Sequence, residues 1–187
     1  MTQHPVPHRP QHIDWFAGFL SYLIPGFGQI YQRRYAKGIL FFLSLFALFF
    51  YGMWMGQGKN VYLPDTNVKN NMVFTSKPLG DLENRPHFIG QFWIGIAAWP
   101  AIVQYATFDP AKKGQAIFGE WQRTPPENVL NDLQRNGDKR WDLGWVYTVI
   151  AGVLNILVIY DAMAGPAFRD PKEVAAAATQ QQTLVAT

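Results

Sequence analysis

The chain has 187 residues, which suits about one domain. Apolar residues make up 49% and charged residues only 16%, against about 25% in a soluble domain. Seven Trp, eight Tyr and fourteen Phe exclude intrinsic disorder, and the lack of Cys excludes a disulfide scaffold, a thiol nucleophile and a thiolate metal site. The mean hydropathy of −0.07 is that of an ordinary globular protein. Its apolar residues, however, gather in four blocks separated by polar, Pro- and Asn-rich stretches.

Residues 1–14 read as a flexible arm. His4, His8 and His12 have no helical spacing and no acidic or thiol co-ligand, so a solvated, extended arm is expected rather than a metal site. The first block, Trp15 to Tyr31, is broken after about ten apolar residues by Pro25-Gly26 and Gly28. It reads as a short, interrupted span or nearly a span, with a dip that turns back as the alternative. A signal peptide fits poorly because no small-x-small cleavage site follows. The second block, Gly38 to Met55, is uncharged, apolar all round and about 27 Å long as a helix, close to the hydrocarbon thickness. Lys37 at one end, and Tyr51 and Trp54 at the other, are interfacial anchors. Residues 15–56 thus form a helical hairpin.

Residues 57–87 form a turn-rich, 31-residue loop with no catalytic constellation. The third block, Phe88 to Thr107 in a span of 88–108, is uncharged but carries Gln91, Gln104 and a mid-span Pro100, which predicts a kink that frees the Ile96 carbonyl. In the loop 109–141, Thr124-Pro125-Pro126-Glu127 matches a capping box and Gly137 a stop. Val129, Leu130 and Leu133 share one face of the amphipathic helix between them. The fourth block, Leu143 to Met163 in a span of 142–165, is flanked by Trp141 and Trp145 and by Tyr160 and Asp161. The Ala/Gln-biased tail, 166–187, reads as loose.

The turn after the first block holds Arg33, Arg34 and Lys37 with no acid, which places residues 32–37 in the cytoplasm. Four spans then put both termini and the 57–87 loop outside, and the 109–141 loop inside. The pI of about 9.2 does not point to nucleic acid, because the cationic runs border apolar blocks.

Within the blocks, Pro25, Gly26, Gly28 and Gln29 match neither a phosphate loop nor a dinucleotide fingerprint, so no nucleotide is expected. They read as a hairpin turn or helix–helix contact, or as a broken-helix site of the transporter kind. Gly152 and Asn155, with Thr148, make a small and polar stripe, and Ala97 with Ala101 a small-xxx-small pair. Asp161, the only acid inside a block, reads as an interfacial residue hydrated or paired with Arg169, or as part of an ion path.

The run LIPGFGQIYQRRYAKGILFF, residues 23–42, resembles the P-G-x-G-Q/H-x-Y-x-G segment of the two-transmembrane-helix domain family. Together with NILVIYDAMAGP, residues 155–166, it looks closer to a bacterial family of small multi-pass membrane proteins of unknown function. Arg33 stands where the motif often has Gly, and the acidic-Arg-aromatic turn of some members is absent. The resemblance implies a helical hairpin in a membrane and supplies no catalytic residue.

The expectation is therefore an all-α integral membrane protein with three to four transmembrane helices, in the cell membrane. It is a non-enzymatic interaction or accessory subunit whose partners are the lipid bilayer and a membrane protein or a second copy, with no catalytic, cofactor or metal residue. The alternative is a small oligomeric transporter using the Pro25–Gln29 break and Asp161 or Asn155 as a polar path.

Overall fold

The computed structural model describes residues 13–63, 82–83, 85–107, 117–136, 139–165 and 179. Its elements are α1 (Trp15–Leu23), α2 (Phe27–Tyr31), α3 (Tyr35–Met55), α4 (His87–Phe92), a 3₁₀ turn (Gly95–Ala98), α5 (Trp99–Thr107), α6 (Glu127–Asn136) and α7 (Arg140–Ala164). No strand occurs among the described residues. The His-bearing arm before residue 13, most of the 57–87 loop and most of the tail lie outside them.

Among the described residues two helices, α3 and α7, are long and apolar enough to cross a membrane. At the usual rise they measure about 32 and about 38 Å. They pack antiparallel: a side chain at Gly52 of α3 would meet the Gly144 carbonyl of α7, while at the other end Lys37 reaches Asp161. Each turns one stripe inward. In α3 it is Gly38, Leu45, Phe49, Gly52 and Met53. In α7 it is Gly144, Thr148, Ala151, Gly152, Asn155, Val158 and Ala162, the three- and four-residue spacing of a single helix face.

The other two apolar blocks each fold into a hairpin of short helices. In the first, Pro25 forces Ile24 into extended backbone (φ −138°, ψ 117°), and Gly26 takes φ 86°, a conformation open to Gly without steric cost. The chain reverses, and α2 runs back along α1. Both ends of the hairpin lie beside the C-terminal end of α7: Asp14 N donates to Met163 O at 3.0 Å, and Gln32 Nε2 to Ala162 O at 2.7 Å. Nine residues of α1 reach only about 14 Å, roughly half of a hydrocarbon core.

The second hairpin starts from the opposite end of α7. His87 stacks on Trp145 with ring centroids 4.3 Å apart, and α4 descends along α7 to a break at Gly95 (φ 77°). From there α5 returns, and Gln104 Nε2 reaches the carbonyls of Gly119 and Trp121 at 3.2 and 3.0 Å. Pro100 does not make this break. It sits second in α5, in a first turn where its missing N–H is tolerated, and the Ile96 carbonyl is taken up by Trp99 N–H.

Two expectations change accordingly. The third block, read as a span, turns back at Gly95, and the first, read as a span or as a dip that turns back, reverses at Pro25-Gly26. The segments 57–63 and 117–124, expected on opposite sides, lie together. Thr124 Oγ1 donates to Leu63 O at 2.7 Å, which ties the approach to α6 to the 57–63 segment. The amphipathic helix itself is present, with Val129, Leu130 and Leu133 half-buried and Glu127, Asn128 and Asp132 exposed.

The end of α2 explains a motif position. Arg33 has φ 63°, Arg33 N–H bonds to Ile30 O at 2.9 Å and Arg34 N–H to Gln29 O at 2.8 Å. That is a Schellman cap, whose left-handed residue favours Gly. Arg33→Gly, which restores the glycine of the resembled motif, is expected to stabilise the fold by about 1 kcal/mol, read as a higher denaturation midpoint in detergent. No gain in midpoint would refute the strain.

Candidate functional site

The inner stripe of α7 is where both hairpins dock, and its polar residues set their depth. At one end Asp161 gathers a cluster: Lys37 Nζ lies 2.6 Å from Oδ1 and Arg34 Nη2 2.8 Å from Oδ2. Gln29 Nε2 donates to the same carboxylate at 3.1 Å and to the Val158 carbonyl at 2.9 Å. Arg34, Lys37 and Asp161 thus neutralise one another locally, with one positive charge in surplus. Asp161 meets the basic turn that sequence reading assigned to topology, and Arg169 lies outside the described residues. Asp14 adds a second carboxylate nearby, capping α1 through Ala17 N–H at 3.0 Å and accepting from Gln32.

The glycine motif builds the hairpin that carries Gln29. A side chain at Gly26 would collide with the backbone of Gly38 and Phe42, and one at Gly28 with the Ala17 carbonyl and Ser21 Oγ. With both positions open, α2 lies flush on α1 and on the start of α3. Ser21 Oγ then accepts from Gly28 N–H and donates to Gln29 Oε1, both at 3.1 Å. Gln29 is fully buried, an amide fixed at both ends. Pro25 is buried in the turn, whereas Arg33 points outward.

Midway along α7, Asn155 joins the two hairpin tips. Its Nδ2 donates to Ser21 O of α1 at 3.0 Å and to Trp93 O, just past α4, at 2.8 Å. The tips themselves touch: a side chain at Gly95 would strike the carbonyls of Tyr22 and Leu23, and the Tyr22 ring lies 5.5 Å from Phe92 and 6.1 Å from Trp93. Gly152 lets α4 approach, since a side chain there would meet the Gly90 carbonyl. Thr148 and Gly152 are both buried on this side of α7. Ala101 is buried too, and its N–H bonds to Gln122 Oε1 at 3.0 Å.

Toward the other end Gln91 Nε2 donates to Thr148 Oγ1 at 2.8 Å and to Asn60 O at 3.0 Å. Arg85 Nη2 reaches the same carbonyl at 2.8 Å, and its guanidinium lies 3.6 Å from the Tyr62 ring centroid. Burial raises the Tyr62 phenol above its ordinary pKa, with Arg85 opposing, and lowers that of Arg85. The pairing of a guanidinium with an aromatic face offsets part of the desolvation.

A comparison with protein families matches residues 16–175 to a family of unknown function, DUF6677. The chain belongs to this family. No curated protein and no solved structure matches it. The DUF6677 match runs from the first turn of α1 to beyond the end of α7, so it takes in both hairpins and the whole polar stripe. Sequence reading singled out Gly152 and Asn155 as a stripe and Asp161 separately as an interfacial or ion-path acid. It missed Ser21, Gln91, Asn60 and Gly95; the one signal was the presence of uncharged amides in an otherwise apolar third block.

Proposed function

We propose that the chain is a non-enzymatic, multi-pass membrane protein of the interaction or accessory-subunit type. In this reading α3 and α7 span the bilayer, and the two hairpins enter from opposite sides and meet near its middle. The observation that carries it is the division of the surface. Polar side chains of the hairpins turn inward onto α7, while Leu40, Leu43, Phe50 and Trp54 of α3 and Leu154, Leu157 and Tyr160 of α7 face outward, exposed. Backbone that breaks at membrane depth requires such internal partners, and an outer aromatic and aliphatic face suits lipid or another membrane protein. Stoichiometric copurification with other membrane proteins from mild detergent is the expected result. A chain that runs alone and monodisperse would overturn the accessory role.

A polar path for transport is the second reading, favoured by the buried acceptors Asn155 Oδ1, Gln91 Oε1 and Asn60 Oδ1, which have no hydrogen-bond partner among the described residues. Ion or solute flux into liposomes carrying the purified protein, lost in Asn155→Leu, would establish it.

Sidedness is directly measurable because the chain has no Cys. Single cysteines at Gln57 and Glu120 are expected to react with an impermeant maleimide from one side of sealed vesicles, and those at Ile13 and Arg33 from the other. Labelling of Gln57→Cys and Glu120→Cys from opposite sides would restore the four-span topology. Among the described residues the Gln57 end carries Lys59, Arg85, Arg123, Arg135, Lys139 and Arg140, against Arg33, Arg34 and Lys37 at the other. By that count of basic residues this reading assigns the Gln57 end to the cytoplasm, the reverse of the side expected from the short turn 32–37 alone.

A further inference from the structure

Where the last turn of α3 meets the segment 117–124 there is a cavity of about 400 Å³, lined by Phe50, Met53, Trp54, Lys59, Glu120 and Trp121 among others. A smaller cavity, about 90 Å³, adjoins it. It shares Lys59 and Glu120 and adds Arg123, Thr124 and Val129. Together they form a groove with one apolar end and one charged end. The apolar end runs along the outward side of α3, at the depth where Trp54 marks an interface. Gly58, at φ 71°, has the Trp121 ring lying 3.9 Å from where a side chain would begin.

We propose that this groove binds a single glycerophospholipid. Its phosphate sits on Lys59, and one acyl chain lies against Phe50, Met53, Trp54 and Trp121. The charges favour an anion: Lys59 and Arg123 outnumber Glu120, and Lys59 makes no ion pair among the described residues. The volume falls within the range of ligand sites, about 300–1,000 Å³, and its gradient from indole to ammonium matches an amphiphile. A free phosphate would leave the aromatic end empty, and a hydrocarbon would leave the charged mouth unused. The proposal rests on the bilayer placement above and not on a protein partner.

Native mass spectrometry of the full chain, released from mild detergent with phosphatidylglycerol added, tests it. The wild-type chain is expected to retain one phosphatidylglycerol. Lys59→Gln, at the rim, should weaken retention about tenfold, as for loss of a charge-assisted hydrogen bond. Trp121→Ala should weaken it through the lost aromatic contact. Soluble glycerol phosphate should not displace the lipid. Equal retention by wild type and Lys59→Gln, with circular dichroism showing both folded, would overturn the lipid site. Displacement by glycerol phosphate at concentrations comparable to the lipid would assign the groove to a free phosphate ligand instead. Recovery of the chain from cells without detergent would remove the bilayer reading itself, an outcome separate from failure of the groove.

Discussion

Asp161→Ala is expected to destabilise the protein by about 2–3 kcal/mol, more than any other single side-chain truncation in the polar cluster. The carboxylate is 19% exposed and holds Arg34, 18% exposed, and Lys37 at once, while also anchoring the Gln29 amide. Its removal leaves the two cations, Arg34 and Lys37, side by side with their countercharge gone. An exposed ion pair would contribute about 0–1 kcal/mol; partial burial and the shared geometry place this one higher. Arg34→Gln alone should cost about 1 kcal/mol, because Lys37 and Gln29 still satisfy the carboxylate. Denaturant titration of the purified protein in mild detergent reads these differences. An Asp161→Ala loss no larger than that of Arg34→Gln would show that the cluster is three independent surface charges.

Gly95→Ala should be the most damaging glycine substitution in the second hairpin, at about 3 kcal/mol or more. Two effects add there. A φ of 77° strains any L-residue by about 1–2 kcal/mol, and the new methyl would also strike the Tyr22 and Leu23 carbonyls, an overpacking term of about 1–3 kcal/mol. Gly119 separates the two, since it has φ 62° with nothing within 4 Å. Gly119→Ala should therefore cost only the backbone term, about 1 kcal/mol. Equal losses at the two sites would mean that the hairpin tips do not press on each other. A larger loss at Gly95, with protease sensitivity appearing in both α1 and α4, is the expected pattern.

The long helices were legible because their signal is local. An uncharged run such as Gly38 to Met55 has few alternatives to a buried or membrane helix. The spacing of Thr148, Gly152 and Asn155 likewise revealed the inner face of α7. Reversal of the shorter blocks was legible only where two breakers sat together: Pro25-Gly26 announced a turn, but its depth depended on α7. In the third block Pro100 drew attention because it removes a donor, yet Gly95 made the break. A lone Gly among apolar residues gives no sign of whether its backbone is left-handed.

The partners of Asp161 were hidden for a different reason. Arg34 and Lys37 lie 127 and 124 positions away, and no local pattern links residues so distant, while Arg169 was near at hand. Gln91 and Ser21 named no partner either. An amide or hydroxyl in an apolar segment states that a partner is needed and says nothing of which.

The chain order of these partners also bears on how the protein is made. Both hairpins emerge from the ribosome before α7, and the Asn155 amide and Asp161 carboxylate that hold them come on that later helix. Until it is made, Gln29, Gln91 and the carbonyls of Ser21 and Trp93 have no α7 stripe to bond with. Assembly must therefore finish after both hairpins have been synthesised, and chains stalled before residue 140 should be degraded faster than the full chain in a pulse-chase.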